Sequence, residues 1–111
     1  MLILIPHQLG GNIYVRELGA AYRQLGCDVV YSPANFHQLD FRPDLIHVQW
    51  PEALYNWSGD GSIRQRRDRF IQTLDRLRRD GCRIAWTVHN LRPHEVVDAS
   101  TDSIAYQALL D

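Results

Sequence analysis

At 111 residues, with 45% apolar and 23% charged side chains and a formal net charge of −1, the chain has the make-up of one globular domain, able to bury roughly two-thirds of the surface its unfolded form would expose. That balance excludes a disordered polyelectrolyte, and nothing global in it points to nucleic acid. The opening Met1-Leu2-Ile3-Leu4-Ile5-Pro6 has no basic leader and is too short for a secretory signal. No run approaches the ~18 apolar residues of a membrane span, so a cytoplasmic location is expected.

Four short apolar runs, residues 2 to 5, 28 to 31, 44 to 49 and 83 to 88, are rich in Ile, Val and Leu without clear alternation. Strands buried on both faces of a parallel sheet read this way. Between the first two, Ile13, Leu18, Ala21, Tyr22 and Leu25 recur at helical spacing between Gly11 and Gly26, and Gly26 is placed as the helix stop. The stretch from Ser32 to Pro43 is too short for a long crossover helix, which predicts a loop or a single turn. From Ile63 to Asp80 a second helical pattern sets Ile63, Phe70, Ile71, Leu74 and Leu77 on one face and arginines and aspartates on the other, with Gly81 as its stop. Cys27 and Cys82 each follow a stop glycine at a strand entrance. Two cysteines without CxxC spacing read as small buried thiols and not as a disulfide or metal pair.

A last helical pattern, Ser103 to Leu110, has Thr101, Asp102 or Ser103 as its candidate cap. A doubly wound domain would carry a further strand after it, so residues 1–111 are expected to form a domain incomplete at its carboxyl end. Strand alternation and crossover handedness together predict an α/β fold, a Rossmann-like open parallel sheet of about four strands in the order 3-2-1-4 with helices on both faces. In such folds ligands sit beyond the carboxyl ends of the strands, where the strand order reverses. For that order the reversal lies between the first and fourth strands, so the loops bearing Gly10-Gly11 and His89-Asn90 should face each other.

Three strand ends carry groups capable of chemistry: Pro6-His7-Gln8-Leu9-Gly10-Gly11, Gln49-Trp50-Pro51-Glu52, and Val88-His89-Asn90-Leu91-Arg92-Pro93-His94-Glu95. Gly10-Gly11 between a strand and a helix either forms a tight turn or lets backbone amides approach an anionic group. The pair is not GxGxxG, and no P-loop lysine follows it. At a strand end, the His89 imidazole can donate to a hydroxyl or a developing negative charge, with Asn90 as a fixed dipole, or can simply satisfy neighbouring backbone. His94 and Glu95 fit either an acid and base pair or a turn entering a helix. Neither spacing matches a zinc signature, so no metal is expected. His47, inside an apolar run, reads first as a hydrogen-bonded core histidine. Trp50, Glu52, Tyr55 and Trp57 either offer aromatic faces and a carboxylate to a sugar or cover the sheet edge. Residues 64 to 80 hold seven arginines and three aspartates. They read as a solvated helix face, with docking on an anionic membrane or a partner as the alternative.

Gly10-Gly11 with its helix ending Leu25-Gly26-Cys27-Asp28-Val29, then Asp44-Leu45-Ile46-His47-Val48-Gln49-Trp50-Pro51-Glu52, then Trp86-Thr87-Val88-His89-Asn90-Leu91-Arg92-Pro93-His94-Glu95, resembles the amino-terminal domain of GT-B glycosyltransferases, particularly the large group similar to family 4. The resemblance covers nearly the whole chain, and Thr87 to Glu95 is its most specific part. It implies an acceptor-side domain that faces a donor-binding domain, here outside the chain, and serves polysaccharide biosynthesis. The substrates it implies are a nucleotide sugar and a glycan or lipid-linked acceptor, with no metal or other cofactor. By the same resemblance Gly10 and Gly11 lie near the donor diphosphate, and His89 contacts the donor sugar or stabilises charge as the nucleotide leaves. Trp50, Glu52, Asn90, His94 and Glu95 shape the acceptor side. The chain alone is then expected not to transfer sugar, and the arginine-rich helix 63–80 is a candidate for contact with the inner face of a membrane. Two other readings stand beside this one. The first is a non-catalytic α/β module binding a carbohydrate or a partner, such as half of a split transferase. The second is a small nucleotide-binding domain of unrelated chemistry.

Overall fold

A computed structural model describes residues 1–38, 40–55, 60–89 and 98–110. Four parallel strands, β1 (Leu2–Ile5), β2 (Asp28–Tyr31), β3 (Leu45–Val48) and β4 (Arg83–Trp86), form one sheet in the order β2-β1-β3-β4. Helices α1 (Ile13–Gln24), α2 (Pro33–Phe36), α3 (Ile63–Arg79) and α4 (Ala99–Leu110) and a 3-10 turn (Pro51–Leu54) complete the described elements. The fold is thus an α/β, Rossmann-like open parallel sheet flanked by helices.

The strands sort their side chains onto two cores, as the alternation of a pleated strand requires. Ile3 and Ile5 of β1 join Val15 and, at the margin, Leu18 and Tyr22 of α1 on one face. Leu4 points the other way, into a larger core with Ile46 and Val48 of β3, Phe70, Leu74 and Leu77 of α3, and Ala105 and Leu109 of α4. Helices α1 and α3 stop where the glycines predict. In each, the stop glycine has positive φ and donates to the carbonyl three residues back, and the cysteine after it donates five residues back: Gly26 to Arg23 and Cys27 to Tyr22, Gly81 to Arg78 and Cys82 to Leu77. These are Schellman closures, which a left-handed residue makes possible at the helix end. Both cysteines are free thiols, Cys82 buried and Cys27 half-buried. Burial pushes the Cys82 thiol up to about 11.

The strand order differs from the predicted 3-2-1-4. After β2 the chain passes through the single turn α2, buries Phe36, and returns across β1 to add β3 on its far side. Leu45 and Ile46 pair with Ile3 and Leu4, while the Asp44 carboxylate accepts the Leu2 N–H at 2.6 Å. β1 and β3 are therefore the central strands, and the partly exposed β2 and β4 lie at the edges. The point of reversal falls between β1 and β3. The last helix also starts earlier than predicted: Asp98 caps it, accepting the Thr101 N–H at 3.1 Å, so Thr101 and Asp102 lie buried inside the helix. α3 begins at a capping box, with the Ser62 hydroxyl accepting from the Gln65 N–H and the Gln65 amide oxygen from the Ser62 N–H.

Candidate functional site

The carboxyl ends of β1, β3 and β4 bring His7, Gln49, Trp50 and His89 into one connected cluster. Pro6 ends β1 and delivers His7, which is 6% exposed. Its Nε2 accepts the Gln49 backbone N–H at 2.9 Å and the Trp50 N–H at 3.4 Å, binding the first strand end to the third. The Gln49 side chain, in turn, accepts from His89 Nε2–H at 2.8 Å. The His89 ring stacks on Trp50, with centroids 4.8 Å apart and planes 11° from parallel, and Trp50 meets His7 edge-on. Burial foremost, then the nearby His47 and His89, lowers the His7 pKa from 6.5 to about 4, so this ring is neutral at physiological pH.

His89 is exposed, yet its orientation is fixed by one hydrogen bond and one stacked ring. Because Nε2 donates to Gln49, the neutral ring presents the lone pair of Nδ1, which has no partner among the described residues; on protonation the same nitrogen becomes a donor. Tyr14, in the first turn of α1, lies 5.6 Å from the His89 ring. The contact at the fourth strand end is thus made by α1 and not by Gly10 or Gly11 themselves, and β1 and β4 are not neighbours.

Gly10 and Gly11 occupy an exposed turn closed by the Asn12 N–H on the Leu9 carbonyl at 3.2 Å, with Gly10 at φ +42°. No atom lies within 4 Å of where a side chain at either would begin. Asn12 caps α1, its side-chain oxygen accepting from the Tyr14 and Val15 amides at 3.0 and 3.2 Å. These two donors of the helix start are therefore taken by the chain's own side chain.

Beside this turn a cleft of about 320 Å³ opens at the reversal of strand order, lined by Pro6, His7, Gln8, Asn12, Val15, Pro33, Trp50 and Ala53. Its size is at the low end of small-molecule sites, ~300–1,000 Å³. None of these lining residues carries a formal charge at neutral pH.

Of the residues singled out in the sequence, Trp50 lines the cleft and His89 adjoins it through Trp50. Glu52 does not. It is 3% exposed in the 3-10 turn and accepts from the Tyr106 hydroxyl at 2.8 Å, which locks that turn to α4. Tyr55, a candidate for stacking on a sugar, is fully buried and donates to Asp102 at 2.6 Å. Burial and these carboxylates raise the pKa of both phenols. The group is a core hydrogen-bond network: Glu52, expected to shape the acceptor side, and Tyr55, expected either to stack on a sugar or to cover the sheet edge, both lie buried in it. Asn90, His94, Glu95 and Trp57 lie outside the described residues. His47 is hydrogen-bonded as expected but only half-buried, its two nitrogens 2.7 Å from the Tyr22 hydroxyl and 2.6 Å from that of Thr87.

Of the α3 arginines, Arg66, Arg67, Arg69 and Arg78 are bonded within the fold, while Arg64 and Arg79 are exposed. Arg66 donates to the Tyr55 and Gly61 carbonyls, Arg69 to that of Asp60 and Arg78 to that of Leu109, while Arg67 pairs with Asp68. Apart from the Arg67–Asp68 pair, which lies within α3, these bonds tie the helix to its neighbours. Among the described residues no helix is long and apolar enough to cross a membrane.

Sequence reasoning gave no role to His7 or to the Gln49 bridge. The signal for His7 was present, a histidine just past a strand end as at His89, but its value depends on β3 being the neighbour of β1. Fold and site together define a Rossmann-like α/β domain with a polar, histidine-bearing rim at its switch point. Comparison of the chain with models of known families, with curated proteins and with solved structures gave no match.

Proposed function

We propose that the chain is the acceptor-side domain of a GT-B-type glycosyltransferase, and that His89 acts at the reacting centre. The observation that carries this reading is an exposed imidazole held rigidly at the switch-point rim, by Gln49 on one nitrogen and by Trp50 on one face, next to a ring-sized cleft. A group fixed in this way loses little freedom when substrate arrives, which is what positioning and electrostatic catalysis require. In its protonated form, His89 offers Nδ1–H to the oxygen on which charge builds as a nucleoside diphosphate leaves. The acceptor occupies the cleft, and a second domain brings the donor to the rim.

The test is nucleoside diphosphate release from nucleotide sugars by the protein encoded in the whole reading frame that contains this chain. His89→Ala should lower kcat by about 10²–10³, the usual scale for losing one charge-stabilising donor. Turnover unchanged in that variant would remove His89 from the mechanism. A second reading, a carbohydrate-binding module without turnover, is favoured by one observation: α1, its cap Asn12, α2 and the segments that follow β1 and β3 line the cleft from within this one domain. Saccharide binding with no diphosphate release from any donor would select it.

A further inference from the structure

We propose that the cleft binds an uncharged, hydroxyl-bearing ring, a neutral sugar residue, oriented by the Nδ1–H of His7. The proposal rests on the transferase reading only for the ligand's role as acceptor.

The geometry fixes the tautomer. Nε2 of His7 accepts two backbone N–H groups, from Gln49 at 2.9 Å and Trp50 at 3.4 Å. Only an unprotonated ring nitrogen can accept, so the single proton of the neutral ring resides on Nδ1. Moving it to Nε2 would leave two N–H groups at the strand end without an acceptor, a substantial penalty for buried donors. Nδ1 has no partner among the described residues, and the ring lines the cleft. The fold thus builds a donor that neither switches tautomer nor gains charge under ordinary conditions.

The surroundings select against an anion. Among the described residues the cleft's lining has no cationic side chain to meet a phosphate, and the two α1 amides that would favour one are already bonded to Asn12. A phosphate would exchange its hydration for a neutral N–H in a site of low polarity, which is unfavourable. A sugar hydroxyl loses much less, accepting from His7 Nδ1–H while the ring packs on the apolar wall of Trp50 and Val15.

The test is an NMR titration with the methyl glycosides of glucose, galactose, mannose and N-acetylglucosamine, with glucose 1-phosphate as the charged probe. The His7 ring and the Trp50 indole are the reporters. At least one methyl glycoside should shift both reporters saturably and bind more tightly than glucose 1-phosphate. His7→Gln keeps an acceptor near the place of Nε2 but has no donor at that of Nδ1, and should weaken binding about tenfold or more. His7→Asn, whose amide N–H₂ falls near the place of Nδ1, should retain binding. No shift with any glycoside, preference for the phosphate, or unchanged affinity in His7→Gln would each overturn the proposal. So would a proton found on Nε2 in the nitrogen spectrum of the unsubstituted protein, a readout independent of how the variants fold. Glycoside binding without diphosphate release leaves this proposal standing and ends the transferase reading. Diphosphate release with an unchanged acceptor KM in His7→Gln does the reverse.

Discussion

Acidification should weaken this fold through His7 by an amount that the geometry allows to be worked out. The neutral ring accepts the Gln49 and Trp50 N–H groups, and the protonated ring cannot. Burial, with smaller contributions from His47 and His89, takes its pKa from 6.5 down to about 4. The unfolded chain therefore binds a proton here near pH 6.5, whereas the folded chain resists until about pH 4. Stability rises with pH wherever the unfolded state holds more protons, so this contribution is complete above about pH 6.5 and is lost as the pH falls toward 4. At about 1.4 kcal/mol for each pH unit the loss is on the order of 3 kcal/mol, a large share of the ~5–15 kcal/mol that holds a domain together. The assay is urea unfolding followed by tryptophan fluorescence from about pH 7 to about pH 4, for the unsubstituted protein and His7→Gln. The glutamine variant keeps a neutral acceptor. Comparing the two also removes the contributions of His37 and His47, whose pKa values burial lowers as well. The variant should gain on the unsubstituted protein by about 3 kcal/mol across the window. A stability difference that stays constant with pH would refute the assignment of Nε2 as the acceptor at the strand end.

Two further substitutions probe the frame that holds the rim. A Cβ on Gly19 would lie 1.6 Å from the Tyr31 hydroxyl oxygen and 2.5 Å from its ring, so Gly19→Ala should cost about 1–3 kcal/mol despite the better helix propensity of alanine. The same change made with Tyr31→Ala should be neutral or stabilising in thermal unfolding, and a stabilising Gly19→Ala alone would contradict the close approach of α1 to β2. Tyr106→Phe leaves a Glu52 carboxylate oxygen buried without its phenol donor and should cost about 1–3 kcal/mol. If Glu52 instead served an accessible acceptor site, that substitution would leave stability unchanged and alter binding.

Local signals in the sequence were enough for the strands, the two long helices and their stops. Runs such as Leu2–Ile5 and Asp28–Tyr31 are too short and too rich in branched side chains for helices, and Gly26 and Gly81 close α1 and α3 because a left-handed residue is needed there. His89 at the end of a strand and Trp50 beyond another were equally legible as rim residues, since in a parallel sheet every strand delivers its carboxyl end to the same edge. The cap of α4 was missed by a few residues because Asp98, Thr101, Asp102 and Ser103 are all good caps, and only the burial of Thr101 and Asp102 separates them.

The alternation of strand and helix, hence the parallel sheet, and the edge at which polar groups gather were legible in the amino-acid order alone. All of these follow from local periodicity and chain chirality. That β3, and not β4, lies beside β1 emerges only from the packing of the folded chain. That choice places the Gln49 and Trp50 amides on His7, opens the cleft between those two strand ends, and turns Glu52 away into the packing of α4. Strand order depends on which apolar faces bury one another across long stretches of chain, and a connection as short as Ser32 to Pro43 reaches either the outer side of β2 or the far side of β1.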